Sequence, residues 1–120
     1  MGKMLEQSKS LGKIILTEEE LQAAKFSKGK KVLAILSSTC FYCKATLDSW
    51  SESEELKSYL SDKKIKLLFI EKLQSPELAH ARGSGEYPNI SGYQNGDCLG
   101  RRIGLIHADD FINSLKEWYK

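Results

Sequence analysis

Val32-Leu33-Ala34-Ile35-Leu36-Ser37-Ser38-Thr39-Cys40-Phe41-Tyr42-Cys43-Lys44 is the stretch that decides the fold. Residues 32–36 are a continuous apolar run of strand length, the pattern of a central strand covered on both faces. Ser37-Ser38-Thr39 ends that strand. Cys40 then opens a helical pattern with Ala45, Leu47 and Trp50 as apolar positions, continued by Leu56, Tyr59 and Leu60. Ser51 and Glu54 have the spacing of a capping box, so a break or kink is expected within residues 49–53.

Strand, C-x-x-C, helix is an arrangement with chemical consequences. The first backbone N–H groups of a helix are unpaired and carry partial positive charge. A thiol placed there is expected to ionise more readily than an ordinary thiol, whose pKa is ~8.5. Positions i and i+3 lie on one helical face, so the two sulfurs can meet. Cys40, the outer of the two, is expected to attack a substrate disulfide, and Cys43, one turn in, to resolve the mixed disulfide. The reverse sequence would oxidise a dithiol. The pair itself is then the redox group, as a Cys40–Cys43 disulfide when oxidised, and no further cofactor is expected. The competing reading is half of a zinc site, completed by Cys98, His80 or His107. Structural zinc ligands usually come from loops and knuckles, not from a strand-to-helix junction, so no metal is expected.

Upstream, residues 1–12 are polar and unpatterned and read as a flexible arm. Residues 13–16 form a short strand. Thr17 and Glu20 make a capping box, which predicts a helix running to residues 24–27. Lys28-Gly29-Lys30-Lys31 is a turn. Downstream, residues 65–70 are a strand, and 76–82 a short helix ended by Gly83. Residues 89–93 and 98–104 are two strands joined as a hairpin at Asn95-Gly96. A last helix starts near Ala108, with Phe111, Ile112, Leu115, Trp118 and Tyr119 at helical spacing. The order β-α-β-α-β-α-β-β-α predicts an α/β domain over residues 13–120. Its central mixed sheet has four to five strands, closed by an antiparallel C-terminal hairpin, with helices on both faces.

The chain's 120 residues suit one domain, able to bury roughly two-thirds of its unfolded surface. Composition is ordinary for a globular protein, at 41% hydrophobic and 28% charged. A net charge of +2 gives no reason to expect nucleic acid or an anionic membrane as partner. No apolar stretch approaches the ~20 residues that span a bilayer. Lys3, Lys9 and Lys13 enclose no apolar block, which reads as a cytoplasmic chain rather than one carrying a signal peptide. An extracytoplasmic location remains the alternative if a signal segment has been removed. A domain with this core needs no disulfide staple, so the paired cysteines are expected to do chemistry.

From Lys13 onward the sequence resembles the thioredoxin family. The resemblance is carried by the apolar strand before C-x-x-C, by Tyr87-Pro88-Asn89, by the hairpin turn Tyr93-Gln94-Asn95-Gly96-Asp97, and by Ile103-Gly104-Leu105. It implies the thioredoxin fold, with Cys40 as nucleophile and Cys43 as resolving thiol. It also implies a cis peptide bond before Pro88, an arrangement found in ~5–6% of X-Pro bonds. That bond would aim the backbone of Tyr87 at an extended substrate segment pairing like an added strand. Gly104 is implied at the same substrate face. Phe41, next to the nucleophile, is expected to be exposed and to touch substrate. The implied partners are protein disulfides or dithiols and a redox protein that recycles the pair, with the chain itself a monomer.

The sequence also departs from that family. Thr39 stands where thioredoxins have tryptophan, and Phe41-Tyr42 where they have Gly-Pro. Ala34 occupies the place of a buried aspartate that helps the second thiol exchange its proton. The alternatives are therefore an exported oxidase or isomerase, or a binding module whose cysteines do not turn over. Cys98 is expected as a small buried hydrophobe. His80 and His107 are expected to be solvent-facing or capping, Trp50 and Trp118 to be packing residues, and Lys28, Lys30, Lys31, Arg101 and Arg102 to be solvated.

Overall fold

The two longest apolar runs become adjacent parallel strands at the centre of the sheet. In the computed structural model, which describes residues 2–25, 27–83 and 85–120, β2 (Lys30–Leu36) pairs with β3 (Ile65–Glu71) from Lys30↔Ile65 to Leu36↔Glu71. β1 (Lys13–Ile14) lies parallel on the outer side of β3. β4 (Asn89–Gln94) runs antiparallel to β2, and β5 (Asp97–Ile103) antiparallel to β4. The sheet order is β1-β3-β2-β4-β5, the mixed five-stranded sheet with its closing hairpin that the element order predicted.

The helices are α1 (Gly2–Leu11), α2 (Glu18–Lys25), α3 (Phe41–Glu52), α4 (Glu54–Asp62), α5 (Pro76–Gly83) and α6 (Ala108–Trp118). Period-two alternation divides the strands between two cores. Val32, Ala34, Leu36, Leu67 and Phe69 pack with Leu47 and Trp50 of α3, Leu56 of α4 and Phe111 of α6. Leu33, Ile35, Leu68 and Ile70 pack with Leu21 of α2 and Leu78 of α5. Each fully buried valine, leucine, isoleucine or phenylalanine among them stabilises the fold by about 1.5–3 kcal/mol. Trp50 anchors the larger core: it stacks on Phe111 with centroids 4.1 Å apart, and its Nε1–H donates to the Ile106 carbonyl at 3.1 Å. At the far end Trp118 lies on Gly92 and Gly100, which face each other across β4 and β5, and a Cβ on either would collide with the indole.

The structure corrects three expectations. Residues 2–11, expected as an arm, form a helix docked on α3. Met4 and Ser8 are buried, and the Gln7 amide donates to Asp48 Oδ1 at 2.8 Å. The inward stripe Met4, Ser8, Leu11 has helical spacing, but the serine in its middle hides the apolar period. The helix breaks at Ser53, inside the expected 49–53, but the capping residue is Ser53 rather than Ser51. Ser53 Oγ accepts the Leu56 N–H at 3.0 Å and caps α4, while Ser51 sits inside α3 with its hydroxyl buried and unpartnered among the described residues. Lys31, expected to be solvated, is buried on β2. Its ammonium donates to the Lys28 carbonyl at 2.8 Å, and burial, with Lys66 nearby, pushes its pKa below the ordinary lysine value. At Thr17 the expected N-cap forms, its hydroxyl accepting the Glu20 N–H at 3.1 Å and donating to Glu20 Oε1 at 3.4 Å.

Candidate active site

β2 carries the chain to the C-terminal end of the sheet's central strand, a turn follows at residues 37–39, and α3 begins. Cys40 is the N-cap of α3, in extended conformation with φ −95° and ψ 118°. That geometry lets its sulfur take the usual role of a capping oxygen: Sγ accepts the Cys43 N–H at 3.3 Å. One turn in, Cys43 is fully buried, and its Sγ accepts the Ser37 N–H at 3.4 Å. The two sulfurs thus sit in unlike surroundings, the outer one half-buried and the inner one sealed. Burial pushes the Cys43 thiol well above its ordinary value. The Ser37 N–H opposes that shift, while Cys40 and Glu71 add to it.

The hairpin supplies the opposite wall. Cys40 Sγ–H donates to the Tyr87 carbonyl at 3.7 Å, the Tyr87–Pro88 peptide bond is cis, and the Gly104 N–H donates to the Pro88 carbonyl at 2.9 Å. Gly104 has φ +100°, a left-handed conformation that disfavours any side chain at this position. Hydrogen bonds therefore link Cys43, Cys40, Tyr87, Pro88 and Gly104 into one cluster. Phe41 stands on its rim, 75% exposed, with the Tyr42 ring edge-on at 6.0 Å. Lys72 Nζ lies 5.5 Å from the Tyr87 ring centroid. Burial, and secondarily Cys43, raises the Tyr87 phenol above its ordinary value.

Other sequence candidates are placed elsewhere. Cys98 is exposed, not buried: it lies on the edge strand β5, most of whose side chains face solvent, and its thiol reaches the Gly100 carbonyl at 3.8 Å. His80 and His107 are exposed, the latter at the N-cap of α6 with no side-chain capping bond. No group of three or more His, Cys, Asp or Glu side chains among the described residues is placed to hold a metal ion. A cleft of about 470 Å³ lined by Leu16, Ser75, Pro76 and Leu78 includes neither Cys40 nor Cys43.

Sequence reasoning missed Glu71. Ala34 is buried in the same core as Cys43 and brings no carboxylate. Glu71, beside Leu36 at the end of β3, does: it is 4% exposed and takes hydrogen bonds from three backbone amides. The available signal was a charged residue closing an apolar run at the level where the C-x-x-C strand ends.

No protein-family model matches the chain, and no curated protein matches it in sequence. Solved structures do match. A thioredoxin of Plasmodium falciparum is 18% identical with a TM-score of 0.71, over 90% of this chain and 99% of that one. Mitochondrial thioredoxin 3 of Saccharomyces cerevisiae, in its oxidised form, is 16% identical with a TM-score of 0.71, over 92% and 98%. A chain solved for the thiol-resolving mechanism of the yeast mitochondrial 1-Cys peroxiredoxin is 16% identical with a TM-score of 0.74, over 91% and 96%. The chain has the thioredoxin fold. Among the described residues, no helix is long and apolar enough to cross a membrane.

Proposed function

We propose that this chain, with its thioredoxin fold, is a thiol–disulfide oxidoreductase acting on protein disulfides, Cys40 attacking and Cys43 resolving. The observation that carries this reading is the pairing of a reachable sulfur at a helix N-cap with a sealed sulfur one turn deeper. The Cys40 thiolate attacks one sulfur of a substrate R–S–S–R′, forming Cys40–S–S–R, and R′–S⁻ leaves to take a proton from water. Cys43 then gives its proton to solvent and attacks Cys40 Sγ. The Cys40–Cys43 disulfide forms, R–S⁻ leaves, and two electrons have passed from the pair to the substrate.

The main chain at Tyr87, beside Cys40 and braced by the Pro88–Gly104 contact, offers an edge on which an extended substrate segment can pair, and Phe41 offers it an exposed ring. A protein dithiol donor recycles the oxidised pair. Reduction of insulin by dithiothreitol tests the reading. Wild type accelerates precipitation, and Cys40→Ser falls to the uncatalysed rate; equal rates for the two would remove the enzyme reading.

A further inference from the structure

A carboxylate as deeply buried as that of Glu71 must be compensated. Backbone amides do this here: Ser38 and Leu73 N–H each donate to Oε2 at 3.0 Å, and Gln74 N–H donates to Oε1 at 2.9 Å. No lysine or arginine among the described residues forms an ion pair with it. The carboxyl group is thus held in place by main-chain donors alone. The Ser38 amide follows directly on the Ser37 amide, which donates to Cys43 Sγ. Carboxylate and inner sulfur therefore flank one short buried segment, within about 10 Å of each other. The groups facing Cys43 are Cys40 from the α3 cap, Tyr87 from the segment before β4, and Glu71 from β3. The adjacent cation, Lys72, stands over the Tyr87 ring.

We propose that Glu71 is a positioning residue for charge: as a fixed anion behind Cys43 it confines the negative charge of the reduced pair to Cys40. Cys43 stays a thiol until the mixed disulfide has formed. The inference rests on the dithiol chemistry proposed above. Glu71 is not the acceptor of the Cys43 proton, because most of its lone-pair directions are already filled by amides. It acts through the field it exerts on the inner sulfur, and the proton passes to solvent.

The test uses Glu71→Gln in a Cys98→Ser background, with Cys40 loaded as the mixed disulfide with thionitrobenzoate in acid, where Cys43 stays a protonated thiol and does not attack, and then mixed into buffer. Release of thionitrobenzoate by Cys43 is followed by stopped flow from pH 6 to 9. The expected result is release about three- to tenfold faster at pH 7, with the pH–rate profile displaced to lower pH, since one unit of displacement is a factor of ten in thiolate. Release that is unchanged or slower, or a changed rate without displacement, overturns the proposal. If Glu71→Gln does not fold, the wild-type protein labelled with ¹³C at cysteine and glutamate decides. The Cys43 ¹³Cβ resonance must respond at the midpoint of the Glu71 ¹³Cδ titration, and a flat response overturns the proposal. Loss of the insulin result at Cys40 would remove the enzyme reading itself, whereas an unmoved profile with turnover intact removes only the role of Glu71.

Discussion

Cys40 and Cys43 are separated by one helical turn and by everything around their sulfurs. The pair was legible in the sequence because C-x-x-C at a strand-to-helix junction makes one specific demand on the backbone, as do Pro88 and Gly104. Ser37 and Glu71 were not legible, because their contribution depends on loop amides that meet them only in three dimensions. Cys98 was misread because a strand position predicts burial only where both faces of the strand are covered. At this scale the fold also carries a base-sensitive lock. The Tyr119 hydroxyl is shared between the Lys31 and Tyr93 carbonyls at 2.8 and 2.9 Å and accepts the Tyr93 N–H at 3.0 Å. Burial raises this phenol from 10 to about 12 in the folded chain. Its stabilisation is complete below pH 10. It is lost as pH rises toward 12, because the unfolded chain ionises there while the native one still holds its proton. Tyr119→Phe is expected to cost about 1–2 kcal/mol at pH 8. The gap to wild type should narrow at pH 11. Urea denaturation at the two pH values measures it, and a constant gap would count against the lock.

Among the elements, α3 does most to organise the site. Its N-cap is the outer cysteine, and its inner face braces the approach to α6: Thr46 Oγ1 accepts the Ile106 N–H at 3.2 Å and Ser49 Oγ accepts the Ala108 N–H at 2.9 Å. Ser49 thereby supplies the capping acceptor that His107 does not. The break after α3 was visible in the sequence, but the capping-box spacing of Ser51 and Glu54 pointed two positions short of the serine that caps α4. Ser53→Ala should cost about 1 kcal/mol, and Ser51→Ala should stay within about 0.5 kcal/mol of wild type; equal effects in urea titrations would return the cap to Ser51. α1 was hidden by Ser8 in its buried stripe. Met4→Ala should lose about 2 kcal/mol, near the lower bound for such truncations because a terminal helix can relax into the space. A silent Met4→Ala would mean that this segment is the arm its composition suggested.

Over the whole molecule, the sheet order follows from which runs are apolar throughout. Residues 32–36 and 65–70 can be satisfied only at the centre, whereas β1 is two residues long and β5 is exposed along nearly its whole length. Native-state hydrogen exchange should therefore be slowest in β2 and β3, limited by global unfolding, and faster in β1 and β5. Uniform protection across the sheet would contradict this layering. The same architecture sets a rank order for the three free thiols, since Cys98 is exposed but uncapped, Cys40 is half-buried at a helix start, and Cys43 is sealed. Carbamidomethylation of the reduced protein by iodoacetamide at pH 7, read out by peptide mass spectrometry over time, tests that order most directly. The expected result is that Cys40 labels first, ahead of Cys98, with Cys43 untouched while the chain is folded. Labelling of Cys98 before Cys40, or of Cys40 and Cys43 at equal rates, would contradict it.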